Sequence, residues 1–151
     1  MSRPSSSEVP GMVVLDTTVV SELMRLLPDP AVEAWVAGRP AASLFFSAIG
    51  EAELRYGVAI MPAGRRRDRL VAEIEAMLRD DFEGRVLPFD SDAARFYAQV
   101  AAYRRAAGRS VSQTDCQIAA IARAHGMAVA TRNVRDFVDT GIDVIDPWDG
   151  A

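Results

Sequence analysis

An α/β fold is predicted for this chain, with a parallel sheet covered by helices on both faces. Three observations predict it. Met12-Val-Val-Leu15 and Met127-Ala-Val-Ala130 are short uninterrupted apolar runs, as in strands buried on both faces. Stretches of helical periodicity separate these runs and open on cap residues such as Asp29, Ser47, Asp90 and Ser112. Strand candidates that alternate with helices require crossover connections, and so a parallel sheet. At 151 residues, half of them hydrophobic and a quarter charged, the chain suits one domain with a substantial core.

Residues Met1 to Gly11 are Ser/Pro-rich and are expected to be disordered, leaving residues 12–151 as the folded domain. The first strand, Met12–Leu15, ends in Asp16-Thr17-Thr18, and Val19 to Leu27 reads as helix up to Pro28. An acid at the carboxyl end of a central strand sits where open α/β sheets place their ligands. Asp16 could instead cap the helix, but Thr17 or Thr18 would serve equally, which favours a site. Asp29-Pro30 opens a second helix through Trp35 to about Gly38. Ser43–Phe46 is the second strand candidate, and Ser47 caps a helix from Ala48 to about Met61.

That helix carries two acids, which periodicity separates. With Ile49 as zero, Tyr56, Ile60 and Glu53 fall within about 40° of it, while Glu51 lies at about 200°. Glu53 is therefore expected among core residues, where it needs a partner such as an arginine or a metal, and Glu51 in solvent.

Ala63 to Phe82 forms a long amphipathic helix with Leu70, Ile74, Met77 or Leu78 and Phe82 on one face. Arg65 to Arg67 and Arg69 at its start make either a solvated charged face or a phosphate contact. Arg85–Phe89 is a third strand, shortened by Pro88. Asp90-Ser-Asp92 starts a helix to about Ala107, with Phe96, Tyr97, Val100 and Tyr103 expected to face inward. After Gly108, Ser112 caps a helix whose apolar face is Ile118, Ala119, Ile121 and Ala122 and which stops at Gly126. With Ile118 as zero, Asp115 lies at about 60°, so it shares the apolar face at the helix mouth. A carboxylate there is a local cap or one wall of a site. The strand Met127–Ala130 then leads into the polar loop Thr131–Phe137, a last strand near Asp143–Ile145, and Trp148, which packs the end onto the domain.

The remaining composition narrows the chemistry. A net charge of −4 argues against general nucleic-acid coating, although a local basic patch would suffice for RNA. All seventeen basic residues are arginine, which removes Schiff-base and P-loop lysine chemistry. One cysteine, Cys116, and one histidine, His125, exclude a disulfide and any zinc site rich in those residues. Cys116 points away from Asp115 and reads as a core thiol. No apolar run approaches the roughly 20 residues that span a bilayer, and no signal peptide is evident; a cytoplasmic protein is expected.

Asp16, Glu53, Asp115 and Asp136 each lie at or near the end of an element. Right-handed crossovers gather strand carboxyl ends and helix starts on one edge, bringing Asp16, Asp115 and the 131–136 loop together. Crowded carboxylates repel unless protons or cations join them. All-oxygen ligands select a hard ion, Mg²⁺ or Mn²⁺, and such ions serve hydrolysis of phosphate esters.

Val-Leu-Asp16-Thr-Thr-Val-Val-Ser-Glu22, Ser47-Ala-Ile-Gly-Glu-Ala-Glu53-Leu-Arg-Tyr-Gly57, Asp115-Cys-Gln-Ile-Ala-Ala120 and Thr131-Arg-Asn-Val-Arg-Asp-Phe137 resemble, in order, the motifs of PIN-domain ribonucleases. The resemblance extends from Met12 to Trp148 and is greatest to the VapC and FitB-like toxins of bacterial toxin–antitoxin pairs. It implies a three-layer α/β/α sandwich around a five-stranded parallel sheet and Mg²⁺-dependent endoribonuclease activity. It also implies a homodimer and inhibition by a cognate antitoxin, in a higher toxin–antitoxin assembly. Asp16 and Asp115 are then metal ligands and Glu53 the third acid. The chain departs from the family in two places. Asp16-Thr-Thr18 replaces the usual Asp-Thr-Asn, and Asn133 aligns with the fourth acid of many members, with Asp136 three residues on. Either Asn133 or Asp136 completes the site.

Two rival readings differ in class. A phosphoaspartyl phosphatase with Asp16 as nucleophile wants a second Asp where Thr18 stands, and a lysine. A binding module, catalytically weak and acting through its protein partner, would use the same acids as structural caps.

Overall fold

The computed structural model describes residues 11–149. The disorder expected of the N-terminal tail falls on residues outside that range, apart from Gly11. Among the described residues five strands form one sheet: β1 (Val13–Leu15), β2 (Leu44–Ser47), β3 (Val86–Leu87), β4 (Ala128–Ala130) and β5 (Val144–Ile145). Their order is β3-β2-β1-β4-β5, and every neighbouring pair is parallel. Six α-helices accompany them: α1 (Thr17–Leu23), α2 (Pro30–Ala37), α3 (Ala48–Ala59), α4 (Arg65–Asp80), α5 (Ser91–Ala106) and α6 (Gln113–Ala124). Four of the expected helix starts hold, while α1 begins at Thr17 instead of Val19 and α4 at Arg65 instead of Ala63. Asp29, Ser47, Asp90 and Ser112 each accept a backbone N–H of the first turn, and Pro30 follows its Asp cap.

Strand alternation divides the core in two. Val13, Leu15, Leu44, Phe46 and Ala130 point to one side, against Val19, Val20, Val32, Leu54, Val58 and Ile74 from α1 to α4. Val14, Leu87 and Val129 point to the other, against Val100, Ile118 and Ile121 of α5 and α6 and against Phe137. Both faces are therefore covered, which is why β1 and β4 read as unbroken apolar runs. Cys116 lies in the second core.

The chain moves outward through β1, β2 and β3, then returns to place β4 on the other side of β1. Connections diverge between β1 and β4. In sheets of this kind a crevice opens at that switch point, outside the strand carboxyl ends. Asp16 follows β1 and Thr131 follows β4, so both stand at its mouth.

Several boundaries differ from expectation for local reasons. Helix α1 ends at Leu23, four residues before the predicted Leu27. Buried Glu22 pairs with Arg25 at 3.2 Å and accepts the Asp29 backbone N–H at 3.0 Å, so the chain folds back there. Leu26 and Leu27 are left 88% and 87% exposed. Strand β3 keeps only Val86 and Leu87 before Pro88. Tyr103, expected inside, is exposed, because the buried line of α5 is Ala93, Val100 and Arg104. Trp148 does pack against the first core, with the Arg132 guanidinium 5.2 Å from its ring. No helix among the described residues is long and apolar enough to cross a membrane.

Candidate active site

Asp16 is held by strand pairing and by threonine hydroxyls. Its backbone N–H donates to the Ala130 carbonyl at 2.8 Å, extending the β1–β4 ladder by one residue. It occupies the N-cap position of α1 but its side chain makes no cap bond. Its Oδ2 instead accepts the Thr18 hydroxyl at 2.9 Å and the Thr131 hydroxyl at 2.8 Å, and the residue is 4% exposed. Those hydroxyls in turn accept the Arg132 and Asn133 backbone N–H groups at 3.2 and 3.0 Å. The loop after β4 is thereby tied to the acid after β1. Thr18 thus makes polar contacts at the position where an Asn is usual. In the sequence Thr131 marks only the start of the polar loop and carries no role of its own, although it follows its strand just as Asp16 follows β1.

On α6, the capping work belongs to Ser112, whose hydroxyl accepts the Asp115 backbone N–H at 3.3 Å. The Asp115 carboxylate is half-buried and not the cap. Its pKa is pushed up from 3.8 to about 6, first by burial and next by the charge of Asp16. The Ser112 hydroxyl opposes that rise, while Asp136 and Glu53 add to it. One residue therefore feels all three of the other acids singled out in the sequence.

Glu53 corrects an expectation. It is exposed rather than embedded, because α3 buries Gly50, Leu54 and Val58 and leaves Tyr56 and Ile60 67% and 64% exposed. The predicted stripe was the wrong one: Tyr56 and Ile60 are apolar but outward. Glu53 still turns toward the site, where its Oε1 accepts the Thr17 hydroxyl at 2.6 Å. Glu51, expected in solvent, is the more buried of the two and is held by Arg55 at 2.7 Å. Arg55 also reaches Glu75 and so clamps α3 to α4.

Asn133 is the N-cap of a 3-10 turn, Val134–Phe137, and Asp136 lies within that turn. Asn133 is exposed and its carbonyl accepts the Asp136 N–H at 2.9 Å. Asp136 is half-buried and is the one whose charge reaches Asp115. Among the described residues, no three carboxylate, imidazole or thiol side chains converge closely enough to hold a metal by themselves. The donor set nevertheless fits Mg²⁺, which is commonly bound through one or two carboxylates and retains several waters. A half-buried carboxylate raised by its neighbours' charges is relieved by a cation.

Comparison with known proteins identifies the family. The PIN domain family model matches residues 13–142. A VapC ribonuclease of Sinorhizobium fredii is 46% identical over 140 residues, covering 93% of this chain and all of that protein. Toxin FitB of Neisseria gonorrhoeae is 38% identical over 91% of this chain and 99% of its own length. The crystal structure of FitAcB from Neisseria gonorrhoeae superposes with a TM-score of 0.86 over 91% of this chain and 99% of that one, at 38% identity. The fold, the order of its motifs and these likenesses agree, and the chain belongs to the PIN-domain family.

Proposed function

We propose that this protein is a Mg²⁺-dependent endoribonuclease, with Mn²⁺ as an alternative ion, acting as a cytoplasmic toxin neutralised by a cognate antitoxin. The observation that supports the reading is that Asp16, at the sheet's switch point, stands near enough to Asp115 for its charge to raise that carboxyl's pKa, with Asp136 and Glu53 adding to the rise. Asp16 and Asp115 are assigned as the metal ligands. Glu53 and Asp136 supply the remaining negative field, and Asn133 lies on the rim. A divalent ion held there supplies charge stabilisation to a phosphoryl group undergoing hydrolysis. The chain's own contribution is placement. Thr18 and Thr131 orient the Asp16 carboxylate, and Thr17 orients Glu53.

The partner reading is supported by relatives. Solved neighbours include FitAB bound to a DNA fragment and a DNA-bound VapBC, at 38% and 26% identity. It is supported too by exposed Leu26 and Leu27 beside a groove between α1, α3 and α4 that reaches Thr17 and Glu53. A homodimer, within a larger toxin–antitoxin assembly, is assigned on the same likeness.

The test is cleavage of total cellular RNA by purified protein with Mg²⁺, with EDTA, and with Asp115→Asn. Discrete fragments that require both the ion and Asp115 are expected. Well-folded wild type that leaves RNA intact would shift the assignment to a binding module acting through its partner.

A further inference from the structure

Beside the acid cluster lies a second feature of opposite charge. A concavity of about 280 Å³ is lined by Arg104, Gly108, Arg109, Ser110, Arg135 and Asp136, among others. Asp136 belongs to both, since its charge also acts on Asp115. The basic concavity and the acid cluster are therefore immediate neighbours.

Arg104 is the unusual member. It is 3% exposed, and no carboxylate pairs with it among the described residues. Its Nε and Nη2 donate to the Ser110 carbonyl at 3.2 and 3.0 Å, and its Nη1 donates to the Val138 carbonyl. A guanidinium has five N–H donors, so two remain after these three bonds. A buried cation without a counter-anion is costly unless something compensates it. Arg109 is bound to Asp139 at 2.8 Å, a residue held at a φ of 62° in the turn that Arg104 also anchors. Arg135 is exposed on the 3-10 turn and makes no ion pair among the described residues.

The geometry points to a phosphate-binding subsite here, formed by Arg104, Arg109 and Arg135, that holds an RNA backbone phosphate next to the one at the acid cluster. The inference rests on the ribonuclease reading. Single-stranded RNA is the occupant that explains both halves: the acids would hold an ion against one phosphate while the guanidiniums hold its neighbour. Guanidinium recognition of phosphate is independent of base, so the subsite sets position along the strand rather than sequence.

The test is binding of a fluorescein-labelled ten-nucleotide RNA of mixed sequence, in EDTA so that no cleavage intervenes, across a salt series. Arg135→Ala is expected to weaken binding about tenfold and to lower the salt slope by roughly 0.7, one phosphate contact on a single strand. Arg135→Lys should keep most of that slope, because the cation remains. Arg79→Ala, the same charge change near the start of β3 and away from the strand carboxyl ends, should match wild type. Arg109→Ala is expected to act as Arg135→Ala does, in part, since Asp139 already engages it. Equal affinity and slope for Arg135→Ala and wild type would overturn the subsite and leave the ribonuclease reading standing. A wild type that neither binds this RNA nor cleaves RNA with Mg²⁺ would remove that reading, and the subsite with it. Retained RNA binding by Arg135→Ala, with loss of affinity for an acidic partner peptide instead, would overturn the RNA assignment of the pocket.

Discussion

At the scale of single residues, Asp115 carries a conflict that stability measurements can read. Its folded pKa of about 6 exceeds the ordinary 3.8. Between those values the folded protein holds a proton that the unfolded chain has released. The contribution is therefore fully present below about pH 4 and is lost as pH rises through about 6. Above that window the ionised group opposes folding in the metal-free protein. Asp115→Asn removes the opposing charge. It is expected to stabilise the EDTA-treated protein at pH 7.5 by about 1 kcal/mol, once solvent screening of a half-exposed group is allowed for, and to change little near pH 4. Thermal melts at the two pH values check this; a lower melting temperature for Asp115→Asn at pH 7.5 would sink it. The same scale separates the two glutamates of α3. Glu53 faces Thr17 and the acid cluster, whereas Glu51 is engaged by Arg55. Glu53→Gln is expected to reduce RNA cleavage at least tenfold and Glu51→Gln less than twofold. Equal losses in a side-by-side rate assay would remove Glu53 from the site.

At the scale of elements, α3 carries two glycines whose replacement has opposite expected signs. Gly to Ala inside a helix ordinarily stabilises by up to about 1 kcal/mol. A Cβ on Gly57 would meet nothing within 4 Å, so Gly57→Ala is expected to raise stability by that amount. A Cβ on Gly50 would stand 2.5 Å from the ring of Phe46, which is fully buried and cannot retreat. Overpacking of this kind costs about 1–3 kcal/mol, and Gly50→Ala should come out destabilised. Urea midpoints of the two variants check the contrast, and a stabilised Gly50→Ala would show that the ring yields. This contact also explains what was legible beforehand. The helix starts and the β1 and β4 runs were readable because caps and unbroken apolar stretches are local signals. The phase of α3 was not, since Ile49, Tyr56 and Ile60 form as good an apolar stripe as Gly50, Leu54 and Val58. Only packing against Phe46 selects between them. Burial of Arg104 was invisible for the same reason. In sequence it is half of an Arg-Arg pair at a helix end, and the carbonyls that enclose it come from loops 6 and 34 residues away. Asp16 and Asp115 could be singled out as candidates because each stands at an element's end, where topology and not packing decides the neighbours.

At the scale of the whole molecule, the candidate metal site joins segments that are remote in the chain. Asp16 follows β1, Asp115 opens α6, and the loop after β4 is tied to Asp16 through Thr131, 115 positions away. An ion bound by Asp16 and Asp115 would cross-link the first strand to the last third of the domain, and unfolding would have to release it. Binding to the folded form alone adds about 2.7 kcal/mol when the ion stands at a hundred times its dissociation constant. For a domain of this size each kcal/mol moves the melting temperature by roughly 2–4 °C. Saturating Mg²⁺ is therefore expected to raise the wild-type transition by about 5–10 °C as one cooperative step. In Asp16→Asn and Asp115→Asn that rise should largely vanish. For Asp115→Asn the two effects cross, because the variant begins above wild type without the ion and ends below it with the ion. Melting curves of the three proteins with EDTA and with Mg²⁺ at pH 7.5 decide the matter. A Mg²⁺ shift of equal size in all three would place the ion elsewhere on the molecule and detach the acid cluster from the metal.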